Sequence, residues 1–155
     1  MLTVTLFPAS LPDSEELYTM QIAAFRPLLD KYQDFSTNPA AEPLDKIKWR
    51  MGVPEIDHYF IMLGTVKIGS IRIRRLDENR FRLNQMFILP EFQGNGCAQQ
   101  AIALSESLYP QAVGWELDTI KQEPKLRYLY EKMGYRLTGE ERGIKDGMDL
   151  VYYAK

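Results

Sequence analysis

The chain has 155 residues, of which 45% are hydrophobic and 26% are charged, an ordinary composition for a globular protein that can bury a core. Its net charge of −2 argues against a nucleic-acid surface or attraction to an anionic membrane. One cysteine cannot form an internal disulfide, and with no signal peptide or long apolar run we expect a single cytoplasmic domain over residues 1–155.

The first half of the chain predicts two helices and four strands. Asp13 and Glu16 have the spacing of a helix capping box, and Leu17, Ala24 and Leu28 then recur on one helix face. Residues 77–79 form a plausible hairpin turn. The predicted elements are a strand at 3–7, a helix after Asp13, a short helix at 44–51, and strands at 58–63, 67–76 and 80–89.

The strand at 80–89 carries an irregular pattern. Phe81 and Leu83 place apolar residues at odd positions, whereas Met86 and Ile88 place them at even positions. Such a change of parity near residues 84–85 is typical of a β-bulge. A strand buried on both faces is the alternative explanation, because the parity of its apolar residues carries no information.

A loop with two glycines, Gly94 and Gly96, follows that strand and leads directly into a helical pattern over 97–109. A helix that begins at such a loop offers unpaired N–H groups to an anion. Gln99 occupies the third glycine position of a dinucleotide fingerprint, and no P-loop pattern occurs in the chain. An ordinary strand–turn–helix connection is the alternative.

The remaining segments alternate between strand and helix. They comprise a predicted strand at 113–120, a helix at 124–133, and strands at 135–138 and 148–154. Strands and helices mixed in this order indicate an α/β fold with helices on both sides of the sheet.

Two motifs resemble those of the GNAT family of N-acetyltransferases. Gln93, Gly96 and Ala98 fill the family's [QR]-x-x-G-x-[GA] pattern, after the lead-in Ile88–Phe92. Leu129–Tyr135 resembles a second family landmark, L-Y-E-K-x-G-F. The two motifs stand in the family's order, with one predicted helix and one predicted strand between them.

The resemblance implies a GNAT fold, a mixed central β-sheet of about six to seven strands that opens as a V between the fourth and fifth strands. It implies acetyl-CoA as cosubstrate, with direct transfer of the acetyl group to a primary amine of a small molecule or peptide in a ternary complex. Family habit also implies a homodimer. The resemblance leaves the identity of the acceptor amine and the acyl-chain preference open.

The same resemblance assigns site residues. Backbone N–H groups at Phe87 and Ile88 are expected to bind pantetheine, and Tyr130 is expected to lie near the coenzyme sulfur as general acid. Glu123 stands where the family commonly has an asparagine that binds pantetheine. The residues expected to hold the pyrophosphate are Gln93, Gly94, Asn95, Gly96, Cys97 and Ala98.

The general base is less well defined. Family members often have a glutamate near positions 82–84, but this chain has Arg82, Leu83 and Asn84 there. Glu116 and Asp118 alternate on the next predicted strand and are the best substitutes, although a solvated strand face explains them equally well. A non-catalytic acyl-CoA-binding module and an interaction scaffold therefore remain as alternatives. The chain has one histidine, His58, and therefore few of the usual ligands for a metal cluster, so we expect no metal site.

Overall fold

The computed structural model describes residues 3–155, which form a seven-stranded mixed sheet with helices on both faces. The strands follow the spatial order β1-β2-β3-β4-β5-β7-β6. They are β1 (Val4–Pro8), β2 (Ile56–Leu63), β3 (Val66–Arg75), β4 (Arg80–Ile88), β5 (Gly114–Ile120), β6 (Arg136–Lys145) and β7 (Met148–Ala154). The helices are α1 (Ser14–Tyr32), α2 (Leu44–Met51), α3 (Cys97–Ser107) and α4 (Pro124–Lys132). The predicted α/β architecture is confirmed.

The sheet divides between β4 and β5. These two strands run parallel and pair over only three positions, from Arg80 opposite Gly114 to Arg82 opposite Glu116. Every other pairing in the sheet is antiparallel. Beyond Arg82 the two strands separate, which produces the predicted V-shaped opening between the fourth and fifth strands.

The predicted bulge lies in β4. Arg72 pairs with Gln85 and the next residue, Ile73, pairs with Leu83, so that Asn84 is the extra residue. The bulge exchanges the faces of the strand. Leu83 and Ile88 therefore belong to one core cluster, whereas Phe87 belongs to another.

Two apolar clusters cover the two faces of the sheet. The larger one joins the sheet to α3 and α4, through residues such as Ile102 and Tyr130. The smaller one packs α1 on the other face, through Leu17, Met20, Phe60 and Phe87. The two helical layers hold the diverging strands from opposite sides.

The predicted capping box at α1 is wrong. The Asp13 carboxylate accepts a hydrogen bond from the Ser10 backbone N–H at 2.8 Å, in a 3-10 turn over Leu11–Asp13. Asp13 caps this preceding turn, and Glu16 instead forms an ion pair with Lys67 at 2.5 Å. The proline at position 12 favours that turn because its fixed φ suits the first positions of a helix.

Several predicted boundaries also differ, most of them by one or two residues. The helix expected to reach residue 109 ends at Ser107, and the strand expected at 135–138 continues as β6 to Lys145. Nearly every residue of β6 is exposed, because the strand lies at the sheet edge. No burial pattern marks such a strand in the sequence. Within residues 3–155 no helix combines the length and the apolar character that a membrane span requires.

Candidate active site

A cavity of about 1070 Å³ occupies the opening between β4 and β5. Its walls come from α1, the segment before α2, the strands β3, β4 and β5, the start of α3, α4 and the β6–β7 hairpin. Pockets for a single drug-sized ligand measure about 300–1,000 Å³. The cavity is therefore large enough for two reactants to lie side by side.

The glycine-rich loop forms one end of this cavity. Gly94 and Gly96 have φ values of 83° and 76°, a left-handed conformation that residues with a Cβ rarely adopt. Backbone N–H groups at 94–99 make no hydrogen bond within the described part of the chain, and α3 begins among them. A run of unpaired amides at a helix N-terminus binds anions, phosphate included.

The predicted loop residues divide into two groups. Gln93, Gly94, Gly96, Cys97 and Ala98 line the cavity, and the Gln93 side chain donates to the Ile88 carbonyl oxygen at 2.8 Å. The Asn95 side chain does not line the cavity, because its amide turns back toward the carbonyl oxygens of Phe92 and Gln93. Cys97 is 2% exposed and contributes to the larger core cluster.

The backbone of β4 offers a second set of donors. Leu89 N–H donates to Ile68 O on the β3 side at 2.8 Å. Backbone groups of successive strand residues point in opposite directions, so the amide of Phe87 also faces β3. The amides of Ile88 and Met86 face the opening instead. Of the two predicted pantetheine contacts, Ile88 has the better-placed amide, and Met86 is a donor that the sequence interpretation missed.

Tyr130 lies on α4 and lines the cavity at 7% exposure. Its ring packs edge-on against Tyr135 with a centroid separation of 6.3 Å. Its hydroxyl makes no hydrogen bond to any residue in 3–155. Burial raises the pKa of Tyr130, and the nearby Asp118 carboxylate raises it further. The phenol is therefore protonated at neutral pH and can donate a proton.

Glu116 and Asp118 share one face of β5, as the sequence predicted, and Arg82 contacts both carboxylates. Only Asp118 lines the cavity. Burial raises the pKa of Asp118, an effect that the positive charges of Arg82 and Arg142 reduce. Glu116 lies where β4 and β5 are still paired, and Arg80 contacts it at 3.5 Å.

Glu123 has a different environment from the one expected. It is the N-cap residue of α4, and its carboxylate accepts hydrogen bonds from Lys31 Nζ at 2.7 Å and Tyr32 Oη at 2.5 Å. Burial alone would raise the Glu123 pKa, but the bonds from Lys31 and Tyr32 lower it below its ordinary value. Glu123 does not line the cavity, and it connects the end of α1 to α4.

A polar cluster at the opposite end of the cavity was not predicted. Arg50 on α2 forms a two-pronged ion pair with the Glu42 carboxylate, to which Gln21 of α1 also donates at 2.9 Å. Arg72 on β3 donates from Nε to the Asn84 side-chain oxygen at 2.8 Å. These residues come from distant segments, and only the fold brings them together.

His58 lies beside this cluster, directly opposite Arg72 in the β2–β3 pairing. Burial lowers the pKa of His58 to about 4, and the Arg72 charge contributes to the decrease. Its Nε2 atom has no hydrogen-bond partner among residues 3–155. In that same range, no group of three or more His, Cys, Asp or Glu side chains is arranged to hold a metal ion.

The split sheet and the glycine-rich loop define an α/β fold with unpaired backbone amides at the start of α3. The model of the Acetyltransferase (GNAT) domain matches residues 32–155, so the chain belongs to the GNAT acetyltransferase family. No curated protein is significantly similar to it in sequence.

Solved structures with the same fold include several acetyltransferases. An acetyltransferase from Thermus thermophilus is 17% identical with a TM-score of 0.77, covering 99% of this chain and 97% of that one. The PaiA N-acetyltransferase from Thermoplasma acidophilum, in complex with coenzyme A, is 14% identical with a TM-score of 0.73 and 99% coverage of both chains. A mutant of the SpeG spermidine N-acetyltransferase from Vibrio cholerae is 17% identical with a TM-score of 0.72, covering 99% of this chain and 93% of that one.

Proposed function

We propose that this protein transfers an acetyl group from acetyl-CoA to a primary amine, with both substrates bound together in the cavity. One observation carries the proposal. Gly94 and residues 96–99, which carry unpaired amides, line the same cavity as Tyr130 and Asp118. A phosphate site, a proton donor and a carboxylate are thus arranged around one space.

The residues present fit a pantetheine-linked nucleotide. The loop amides and the positive end of the α3 dipole suit its pyrophosphate. The outward-facing amides of Met86 and Ile88 suit the amide groups of its pantetheine arm. When bound, acetyl-CoA supplies a thioester whose carbonyl carbon is open to attack by a nitrogen nucleophile.

The chemistry requires two proton movements. The acceptor nitrogen forms a bond to the thioester carbonyl carbon, the carbon–sulfur bond breaks, one proton leaves the nitrogen, and one proton joins the sulfur. Asp118, which lines the cavity and whose pKa burial raises, is our candidate acceptor of the first proton, directly or through water. Tyr130, kept protonated by burial, is our candidate donor of the second.

Structural relatives support the same reaction class. PaiA is an N-acetyltransferase whose structure was solved in complex with coenzyme A, and SpeG is a spermidine N-acetyltransferase. We propose that residues 1–155 act as one catalytic domain, since the strands of the split sheet run from Val4 to Ala154.

Thermal unfolding tests the coenzyme part of the proposal. The purified protein is melted with acetyl-CoA, with CoA, and with NAD as a phosphate-bearing control. Ligand at about 100 times its dissociation constant adds roughly 2.7 kcal/mol of stability, which raises the midpoint by several degrees. If NAD alone raised the unfolding midpoint, or if none of the three compounds raised it, a coenzyme A site would be contradicted.

Turnover tests the catalytic part. Release of free CoA thiol is followed with a panel of amines that includes polyamines, aminoglycosides, amino acids and short peptides. Acceptor-dependent thiol release, with an acetylated product of the expected mass, supports the transferase. Coenzyme binding with no turnover across the panel would instead indicate a non-catalytic acyl-CoA-binding protein.

A further inference from the structure

Arg72 is a buried cation that no side-chain carboxylate in residues 3–155 contacts. It is 9% exposed, lies on β3 and lines the cavity. Its Nε atom donates to Asn84, but its two terminal nitrogens make no hydrogen bond within residues 3–155. Burying a guanidinium in this way is unfavourable unless an anion pairs with it.

Neighbouring charges leave this cation uncompensated. The charge of Glu42 acts on Arg72, but the Glu42 carboxylate already accepts from Arg50 and Gln21 and lies 3.4 Å from Lys46. Burial lowers the pKa of Arg72 to about 9, and repulsion from Arg50 exceeds the attraction of Glu42. At neutral pH Arg72 is still charged.

The whole cavity has the same imbalance. Five basic side chains line it against three acidic ones, namely Lys46, Arg50, Arg72, Lys125 and Arg142 against Asp34, Glu42 and Asp118. Of the basic side chains that line the cavity and contact no carboxylate within residues 3–155, Arg72 is the most deeply buried. A planar guanidinium with free terminal N–H groups matches the two oxygens of a carboxylate.

Coenzyme phosphates have their own site at a distance. Arg72 pairs with Gln85, four residues before Leu89, where β4 has ended and the chain turns toward the glycine-rich loop. Strand residues rise about 3.4 Å each, so Arg72 is separated from the loop by about 13 Å or more along the strand. Arg72 therefore lies at the end of the cavity that remains for the acceptor.

We propose that the acceptor amine carries a carboxylate and that Arg72 binds it, which makes amino acids and related amino-carboxylates the substrate class. The inference rests on the proposed acetyltransferase function and adds to it the charge of the acceptor. Arg72 is a specificity-determining residue with no part in the proton movements. Arg50 and Lys46 share the single carboxylate of Glu42, so that together with Arg72 this cluster carries more positive than negative charge.

Matched acceptor pairs provide the test. Each member of a panel of α-, β- and γ-amino acids is compared with its own carboxamide, which keeps the amine and removes the negative charge. Spermidine serves as a carboxylate-free amine. We expect kcat/KM to be about 10- to 100-fold higher for the acid than for its amide in at least one pair, the range for a charge-assisted hydrogen bond.

Two arginine variants attribute that preference to one side chain. Arg72→Gln should abolish the preference for the acid, whereas Arg72→Lys should retain part of it because the charge remains. Arg74→Gln is the matched control, since Arg74 is two residues along the same strand, exposed and outside the cavity lining. The KM for acetyl-CoA should be the same in all four proteins, and unfolding midpoints verify that each variant is folded.

Other results would contradict either the carboxylate inference or the proposed acetyltransferase function. Equal or faster acetylation of carboxamides or spermidine, unaffected by Arg72→Gln, would overturn the inference and leave the acetyltransferase proposal standing. A raised KM for acetyl-CoA alone in Arg72→Gln would assign Arg72 to a coenzyme phosphate and would also overturn it. If no amine is acetylated, the proposed function fails, and midpoint shifts of the CoA-bound protein with acid against amide still decide whether Arg72 binds a carboxylate.

Discussion

The two ends of the cavity are built in different ways. The proposed coenzyme end consists of backbone amides from one continuous stretch, Met86 to Gln99, and its conformation depends on two glycines with positive φ. The proposed acceptor end is lined by side chains from separate segments, Glu42, Arg50 and Arg72, which hydrogen bonds and charge connect to one another and to Gln21 behind them. A site made of backbone tolerates many side-chain changes, whereas a site made of side chains changes its specificity with each substitution.

The largest expected effect is on catalysis and should leave both ends intact. Tyr130→Phe removes a buried, protonated hydroxyl from the cavity wall, and we expect kcat to fall about 100- to 1,000-fold, the range of general acid catalysis. The CoA-induced midpoint shift should be unchanged. Tyr18→Phe on α1, outside the cavity lining, is the control. An unchanged kcat in Tyr130→Phe would remove the proposed role.

Asp118→Asn should have a smaller effect that distinguishes the two predicted bases. Only Asp118 lines the cavity, so its loss should lower kcat/KM about 10- to 100-fold and remove the acidic limb of the pH–rate profile. Glu116→Gln should change kcat/KM less than threefold, roughly the scatter expected for a solvated ion pair. A comparable loss of kcat/KM in both variants would show that Glu116, Asp118 and Arg82 act together in catalysis and that Asp118 is not the base by itself.

Gly96→Val addresses the coenzyme end. A side chain at φ 76° is strained by about 1–2 kcal/mol and projects from the cradle of amides. Gly147→Val in the β6–β7 turn has nearly the same φ, 81°, with open space around it. Both variants should be destabilised similarly, but only Gly96→Val should weaken CoA binding, about tenfold by calorimetric titration. Equal CoA affinity in the two variants would mean that the loop does not hold the coenzyme.

The smallest effect at neutral pH concerns the acceptor end. The pKa of His58 is about 4 in the folded protein against an ordinary value of 6.5, so below pH 6.5 the unfolded chain takes up a proton that the folded chain does not. Stability therefore decreases as pH falls from 6.5 to 4, by at most about 3 kcal/mol, and is unaffected by this group above pH 6.5. Urea unfolding against pH measures the decrease.

His58→Gln should reduce that slope and change stability little at pH 7.5. Because Arg72 contributes to the low pKa of His58, Arg72→Gln should raise the histidine pKa, which proton NMR of this single imidazole can follow. Arg74→Gln is again the control. An unmoved His58 pKa in Arg72→Gln would indicate that burial alone sets it.

The bulged strand and the glycine-rich loop of the proposed coenzyme end could be predicted from sequence because they are contiguous. The Gln93–Ala98 motif, the change of parity around Asn84 and the apolar strand before the loop all lie within 20 positions. The proposed acceptor end could not, because Gln21 and Glu42 are 21 positions apart and bond to each other only in the folded chain. The assignment of Glu123 to the coenzyme depended on its place in a motif, whereas Lys31 and Tyr32 of α1 determine its contacts.

The short pairing of β4 with β5 has a consequence for amide hydrogen exchange. The Phe87 amide faces β3 and is protected by the hydrogen bonds between β3 and β4. The Met86 and Ile88 amides face the other side, where the pairing of β4 with β5 has ended at Arg82. In deuterated buffer the Met86 and Ile88 amide protons should be lost much sooner than that of Phe87, although all three lie in one strand. A bound pantetheine arm would slow that loss at the two positions, so the substrate would serve as the missing length of neighbouring strand.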